Sequence, residues 1–235
     1  MICICDHRTP CEVLESLKKH GFETILLPPD PSLPKPVCGH SDLLVFIHDG
    51  SLLTRRSYYE IAQKEIDLIC KNAELDLILS DEKSCLNYPG DCGLCVAISG
   101  STVICREAST DRALLSLALN KGYTILNVPQ GYTKCSCAIL ADGALITADR
   151  GIAKVTQSAG IDTLLIVPGY VDLPGYNCGF IGGASGLCGN TLYFCGNIER
   201  HPDHAKIVEF AQKHNTDIVS LSDGNLYDVG SLIFI

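Results

Sequence analysis

The sequence predicts an α/β fold built from five repeated ββαβ units. Two observations lead to this prediction. A segment of helical periodicity that ends in a short apolar run occurs five times, at residues 14–27, 61–79, 114–128, 152–167 and 207–221. A glycine turn between two apolar runs, typical of a β-hairpin, precedes four of these segments. Such an internal repeat indicates a repeat architecture before any single residue is considered.

Each of the four hairpins is placed by its turn glycine. The turns are expected at Asp49-Gly50, Ser99-Gly100, Asp142-Gly143 and Ser185-Gly186. Asp-Gly between apolar runs is a strong hairpin signal, whereas Ser-Gly is a weaker one. The apolar flanks predict hairpins over residues 42–54, 91–105, 134–148 and 177–195.

The helices that follow the hairpins have recognisable ends. Residues 9–12 and 57–60 match the capping box, in which a hydroxyl and a glutamate satisfy unpaired amides at a helix start. Gly21, Gly122 and Gly160 stand between a predicted helix and the next strand, where a left-handed residue often ends a helix.

The fifth hairpin is predicted to be divided between the two ends of the chain. Its first strand lies within residues 226–235, and its second strand lies within residues 2–5. Pairing of these strands would close the units into a ring, which removes the exposed edges of an open sheet. We therefore expect a single domain over residues 1–235. Its repeats are expected at about 1–38 with 224–235, 39–87, 88–130, 131–174 and 175–223.

A doubly wound βαβ sheet is the alternative architecture. It predicts single strands that alternate with helices, so the hairpin before each helix disfavours it. The glycine-rich segment 179–186 stands in the hairpin position of the fourth unit and not between a strand and a helix. We therefore interpret its glycines as turn residues and not as a dinucleotide-binding loop. No cofactor is predicted.

Composition and charge narrow the classes of function. The net charge is −9, and a nucleic-acid-binding protein needs a basic patch to meet phosphates. No apolar run approaches the roughly 20 residues that a membrane-spanning helix needs. The first ten residues lack the basic and apolar regions of a signal peptide. These features predict a cytoplasmic protein that binds neither nucleic acid nor membranes.

The 14 cysteines are predicted to be mostly buried packing residues. Only Cys92 and Cys95 have the spacing of a zinc knuckle, and no second knuckle follows, so no metal is predicted. Cys92, Cys135 and Cys178 each lie eight residues before a predicted turn glycine. A residue type that recurs at one position of several units indicates packing, because cysteine behaves as a small hydrophobic side chain when it is buried.

Polar residues of varying identity mark the entry to each predicted hairpin. They are Asp42, Asp91, Lys134, Asn177 and Asp228. If the units surround one axis, these five groups would converge into a compact site for a small polar ligand. The alternative is that they cap the turns at the strand entries.

The predicted hairpin exits are also polar. Arg106 and Asp149 each lie six residues after their turn glycine. If the first and last residues of the hairpins share one end of the ring, acidic groups would lie beside Lys134. The acidic groups and the lysine would then shift each other's pKa. Otherwise they form surface salt bridges, which contribute little.

This arrangement resembles the pentein superfamily, the fivefold pseudosymmetric β/α-propeller of the guanidino-group-modifying enzymes. The whole chain carries the resemblance as architecture. As specific motif the resemblance covers mainly residues 88–235, within which segments 130–149 and 174–186 are similar to an uncharacterised bacterial branch. The resemblance implies a small-molecule site on the propeller axis. In those enzymes a cysteine in the last repeat attacks the guanidinium carbon, a histidine moves protons, and carboxylates bind the cation.

This sequence departs from that pattern, because its last hairpin contains Asp228 and no cysteine. Two hypotheses follow. The chain is a hydrolase, deiminase or transferase acting on a guanidino or amidino C–N bond through another thiol, or it is a non-catalytic scaffold of the same fold. Under the first hypothesis the candidate catalytic residues are Asp91, Lys134, Cys135 and Asp149. The candidate binding residues are Asp42, Arg106, Asn177 and Asp228.

Overall fold

The computed structural model describes residues 1–82 and 87–235. The strands are β1 (Ile2–Asp6), β2 (Glu23–Leu27), β3 (Val45–His48), β4 (Ser51–Arg55), β5 (Asp76–Ser80), β6 (Ala97–Ser99), β7 (Thr102–Cys105), β8 (Thr124–Asn127), β9 (Cys137–Ile139), β10 (Leu145–Thr147), β11 (Thr163–Leu165), β12 (Val171–Asp172), β13 (Ser185–Cys188), β14 (Thr191–Phe194), β15 (Asp217–Ser220), β16 (Leu226–Tyr227) and β17 (Ile233–Phe234). The helices are α1 (Cys11–Lys19), α2 (Ser41–Leu44), α3 (Arg56–Ala73), α4 (Arg112–Asn120), α5 (Thr133–Ser136), α6 (Arg150–Ser158) and α7 (His204–Lys213).

Five three-stranded sheets repeat one strand order. They are β3-β4-β5, β6-β7-β8, β9-β10-β11, β13-β14-β15 and β17-β1-β2. In each sheet the first strand is antiparallel to the second, and the second is parallel to the third. A parallel pair needs a crossover connection, which the helix between the second and third strands supplies. The chain therefore has the mixed α/β content and ββαβ order that the sequence predicts.

The two ends of the chain share a sheet. β17 pairs antiparallel with β1, and Cys3 lies opposite Phe234. β1 in turn pairs in parallel with β2, so the strand formed by residues 2–6 is central. Its residues are all buried, which agrees with the apolar Ile-Cys-Ile-Cys sequence. The predicted pairing between the first and last strands is present.

The fourth hairpin turn is in a different place from the one predicted. Ser185 and Gly186 lie inside β13, where they pair with Phe194 and Tyr193, and the turn comes after Cys188. Position 186 requires glycine because another part of the backbone passes close to it, and not because it forms a turn. A Cβ there would lie 2.2 Å from a backbone carbonyl oxygen of the segment before β17. Cys178 therefore does not occupy the position equivalent to Cys135, and the repeat alignment for residues 177–178 was wrong.

All four hairpins begin later than predicted, at Val45, Ala97, Cys137 and Ser185, and a single helical turn directly precedes two of them. α2 comes directly before β3, and α5 comes directly before β9. Short apolar runs do not distinguish such a turn from a strand by periodicity alone. Asp42 is the second residue of α2, and Lys134 is the second residue of α5. These two residues therefore hold equivalent positions in their units, as predicted.

The predicted C-terminal ends of three helices are confirmed, whereas the predicted N-terminal capping boxes are not. Gly21, Gly122 and Gly160 have φ of 85°, 79° and 83°, so they end their helices as expected. The capping boxes are absent: α1 has Pro10 as its N-cap, and α3 begins at Arg56 without a side-chain cap.

The cysteines pack as predicted over most of the described chain. The thirteen described cysteines are free, and eight of them are buried; Cys85 lies outside the described residues. Within residues 1–82 and 87–235, each helix is too short or too polar to cross a membrane.

Candidate functional site

The thiol of Cys135 belongs to a buried polar cluster. Its Sγ donates to Oδ2 of Asp42 at 3.0 Å, and the hydroxyl of Ser231 donates to the same oxygen at 2.6 Å. The thiol of Cys95 lies 3.7 Å from Sγ of Cys135. Three segments that are distant in sequence, namely α2, α5 and the segment before β17, therefore meet at one carboxylate.

His40 and Asp228 extend this cluster. A ring nitrogen of His40, a carboxylate oxygen of Asp42 and Sγ of Cys135 all lie within 4.8 Å of one another. Nδ1 of His40 lies 3.8 Å from Oδ1 of Asp228 and has no hydrogen-bond partner among the described residues. Two backbone N–H groups donate to the Asp228 carboxylate at 2.9 Å each, so its orientation is fixed. A thiol, an imidazole and two carboxyl groups are thus held together.

Two glycines let the surrounding loops approach closely. A Cβ on Gly183 would lie 2.1 Å from Oδ1 of Asp228, and a Cβ on Gly230 would lie 2.2 Å from Cβ of His40. The N–H of Gly183 also donates to the carbonyl of Cys135 at 2.7 Å. The glycine-rich segment 179–186 therefore joins the Cys135 and Asp228 loops.

A cavity of about 360 Å³ leads to the cluster. His40, Cys135 and Asp228 form part of its wall. The other lining residues are Val37, Tyr88, Gln130, Tyr132, Leu173, Tyr176, Cys178 and Phe180. We call this space the aromatic cavity. Its volume lies at the lower end of the roughly 300–1,000 Å³ that small-molecule pockets occupy.

Tyr132 organises the aromatic wall. Its ring centroid lies 5.3 Å from that of Tyr88 and 6.3 Å from that of Phe180. Its hydroxyl donates to the buried carboxylate of Asp91. The faces of aromatic rings carry negative charge density and attract organic cations.

Burial determines the protonation states in the cluster. It raises the pKa of Asp228 to about 6 and lowers the pKa of His40. It also raises the pKa of Cys135 well above its usual value, and the hydrogen bond from Cys95 and the charge of Asp42 act in the same direction. At neutral pH Asp228 is therefore a carboxylate, His40 is a neutral imidazole and Cys135 is a thiol. This combination favours a cationic ligand.

Two of the eight candidate residues from the sequence, Cys135 and Asp228, line the aromatic cavity. Asp91 is connected to it by the hydrogen bond from Tyr132. Asp149 accepts a hydrogen bond at 3.2 Å from Gln130, which lines the cavity, and also caps α6.

The other four candidates do not line the aromatic cavity, although Asp42 accepts the hydrogen bond from Cys135. Asp42 and Lys134 line a second, separate chamber. The guanidinium of Arg106 lies 5.8 Å above the Tyr88 ring, and Asn177 is exposed. The two cavities therefore divide the hairpin-entry residues: Asp42 and Lys134 line the second chamber, and Asp228 lines the aromatic cavity.

Sequence reasoning did not place His40 or the aromatic wall beside Cys135. His40 stands two residues before Asp42, but the segment contains no motif that marks it as functional. A signal for the aromatic wall was present, since Tyr88, Tyr132 and Tyr176 occur at intervals of 44 residues, close to the length of one unit. All three tyrosines precede the first strand of their units, β6, β9 and β13.

The same cluster contains one set of possible metal ligands. His40, Asp42 and Cys135 offer one nitrogen, one oxygen and one sulfur atom. These donors suit Zn²⁺, but a closed structural zinc site has four protein ligands. A metal here would need a fourth ligand from solvent or from a bound molecule.

The fold is similar to those of three solved enzymes. DDAH from Pseudomonas aeruginosa, a cysteine-to-serine mutant complexed with citrulline, matches with a TM-score of 0.54 and 11% identity over 93% of this chain and 91% of that chain. SxtG, an amidinotransferase of the saxitoxin biosynthetic pathway from Microseira wollei, has a TM-score of 0.56 and 10% identity over 89% of this chain and 72% of that chain. The inosamine-phosphate amidinotransferase of Streptomyces griseus has a TM-score of 0.52 and 12% identity over 92% and 79%.

All three enzymes are members of the pentein superfamily, so the resemblance predicted from sequence is confirmed at the level of the fold. No curated protein matches the sequence. The match of a family model to residues 4–233 shows that the chain belongs to DUF6873, a family of unknown function.

Proposed function

We propose that the protein binds a small guanidinium or amidinium cation in the aromatic cavity and breaks a carbon–nitrogen bond of that ligand with Cys135 as the nucleophile. The observation that carries the proposal is that a thiol, a neutral imidazole and a buried carboxylate line one cavity. A nucleophile, a base within reach and a group that binds the substrate are what covalent catalysis requires.

Recognition of the cation rests on Asp228 and the aromatic wall. Asp228 is 1% exposed and is held by two backbone hydrogen bonds, so its charge is fixed in a region of weak solvent screening. The rings of Tyr88, Tyr132 and Phe180 line the same space. A planar cation would stack on the rings and donate N–H groups to the carboxylate.

The chemistry follows from the effect of that cation on the thiol. A positive charge beside Cys135 opposes the burial that keeps the thiol protonated, and His40 accepts the proton. The sulfur then bonds to the central carbon of the cation, and an amine leaves with the proton from His40. Attack by water or by an acceptor amine breaks the C–S bond and restores the thiol, giving a hydrolase or a transferase respectively.

The lining of the cavity restricts the substrate. Among the described lining residues there is no lysine or arginine that could pair with a carboxylate. Beyond the charged cluster the walls are aliphatic and aromatic except for the amide of Gln130 and the thiol of Cys178. We therefore propose a substrate whose cationic head carries an uncharged tail.

The proposed site requires the five sheets to surround one axis. We infer that they are the blades of a propeller closed by the pairing of β17 with β1. The inner strands β3, β6, β9, β13 and β17 all contribute residues to one chamber, as neighbours around an axis would.

Cation binding without catalysis is the second candidate function. The raised pKa of Cys135 favours it, because Sγ is hydrogen-bonded to a carboxyl group and a thiol, and no described cationic side chain bonds to it. Under this alternative the cavity binds the same class of ligand, and Cys135 stays unreacted.

Both candidates predict selective binding of methylguanidinium. Calorimetric titration and thermal unfolding should show one site and a raised Tm, with a stabilisation of about 2.7 kcal/mol at a ligand concentration 100 times Kd. Methylurea has nearly the same shape without the charge, so we expect it to produce no comparable shift. Equal effects of the two ligands, or no binding of methylguanidinium, would contradict the proposed cation site.

A further inference from the structure

A second chamber, of about 200 Å³, adjoins the polar cluster. Asp42 lines it, and the thiol that donates to Asp42 belongs to Cys135, which lines the aromatic cavity. The two spaces therefore lie on either side of the Cys135–Asp42 hydrogen bond. We call the second space the aliphatic chamber.

The walls of the aliphatic chamber are built from all five inner strands. Each strand contributes one partly exposed aliphatic side chain. These are Ile47, Ile98, Ile139, Leu187 and Ile233. Covering such surface with hydrocarbon is favourable by about 25 cal/mol per Å² removed from water.

Lys134 supplies the charge of this chamber. Its Nζ donates to Oγ of Ser231 at 3.4 Å, which is a long hydrogen bond. No carboxylate oxygen of the described residues lies within 4.0 Å of Nζ. An ammonium group has three N–H donors, so at least two are available to a ligand. An ammonium group beside apolar walls gains most from a partner that accepts several of these hydrogen bonds.

Besides Lys134, the titratable side chains that line the chamber are His48 and Asp42, and neither supplies a positive charge at neutral pH. His48 has a pKa lowered by burial and shares a hydrogen bond of 2.6 Å with the hydroxyl of Tyr123, so it is neutral. Asp42 also lines the chamber; its Oδ2 accepts hydrogen bonds from Cys135 and Ser231, and its Oδ1 has no partner among the described residues.

We propose that the aliphatic chamber binds a short aliphatic carboxylate, with the acid group on Nζ of Lys134 and the hydrocarbon between the five aliphatic side chains. At about 30 Å³ for each water-sized group, 200 Å³ accommodates roughly six or seven non-hydrogen atoms. That is the size of a four- or five-carbon monocarboxylate. A branched chain fits a chamber with walls on five sides. This site is independent of the proposed cation chemistry.

The first test uses the unmodified protein and two ligands of nearly equal shape. Ligand-observed NMR titration should show saturable binding of 3-methylbutanoate at one site. The uncharged 3-methylbutanamide should bind at least about tenfold more weakly, because it cannot make a charge-assisted pair with Lys134. Equal affinities, or no saturable binding of the acid up to about 10 mM, would overturn the proposal.

Variants locate the site independently of the amide comparison. Lys134→Met keeps the length of the side chain and should weaken acid binding by about tenfold or more. Lys154→Met, on the exposed face of α6, is the matched control and should leave binding unchanged. Ile139→Phe should reduce binding by filling the chamber while leaving Lys134 in place. Wild-type affinity in both Lys134→Met and Ile139→Phe would overturn the assignment.

Discussion

Replacing Asp228 with asparagine is expected to weaken the binding of methylguanidinium by roughly 30-fold or more. The physical reason is that removing one partner of a buried charge pair costs about 2–5 kcal/mol. Asp228 is 1% exposed and shares the aromatic cavity with Cys135 and His40, so solvent screens the loss only weakly. Calorimetric titration measures the change. Asp223→Asn, at an exposed carboxylate outside the cavity, is the control and should bind as the wild type does.

The pH dependence of the wild-type protein tests the same residue without a mutation. Burial raises the pKa of Asp228 to about 6. Above that pH the carboxylate is ionised and attracts the cation, whereas below it the group is protonated and the attraction is lost. The affinity for methylguanidinium should therefore fall about tenfold per pH unit below about pH 6. A flat profile between pH 4 and 7, together with unchanged affinity in a folded Asp228→Asn variant, would show that this carboxylate does not bind the ligand.

Replacing His40 with alanine is expected to slow the alkylation of Cys135 by 2-chloroacetamidine by about 100-fold or more. In the proposed reaction the imidazole takes the thiol proton while the sulfur displaces chloride, and such proton transfer contributes roughly 10²–10⁴ to a rate. Burial lowers the pKa of His40, so the ring is the neutral base at pH 7. Stopped-flow or quenched-sample mass spectrometry gives the rate constant.

The control for this variant separates base catalysis from a general loss of structure. His204→Ala changes an exposed histidine at the start of α7 and should leave the rate unchanged. The methylguanidinium affinity of His40→Ala should remain close to that of the wild type, because Asp228 and the aromatic wall persist. An unchanged alkylation rate would exclude His40 as the base.

The strand order could be predicted from sequence because each unit repeats it. Five helix-plus-strand segments and their preceding hairpins correspond to the five sheets, including the pairing of β17 with β1. The errors in hairpin position occurred where a short sequence pattern is compatible with more than one local structure. Gly186 is a glycine because a backbone carbonyl approaches it, and a close approach looks like a turn when only the sequence is known.

The site was only partly predictable for a related reason. Cys135 and Asp228 were candidates because they stand near unit boundaries, where an axis would bring them together. His40 became part of the site through contacts with residues almost 100 and 190 positions away, and no local pattern records such contacts. Lys134 was assigned to the same pocket as Cys135, its neighbour in sequence, but successive residues of the α5 helical turn face different spaces.

The central claim is that Cys135 reacts with a cation held in the aromatic cavity. The most direct measurement is the location of the adduct after the wild-type protein reacts with 2-chloroacetamidine at neutral pH, by proteolysis and tandem mass spectrometry. We expect one predominant adduct, on Cys135, which methylguanidinium suppresses and which persists in Cys178→Ala. An adduct confined to the half-buried Cys178 or to the exposed Cys11, with Cys135 unmodified, would contradict the claim.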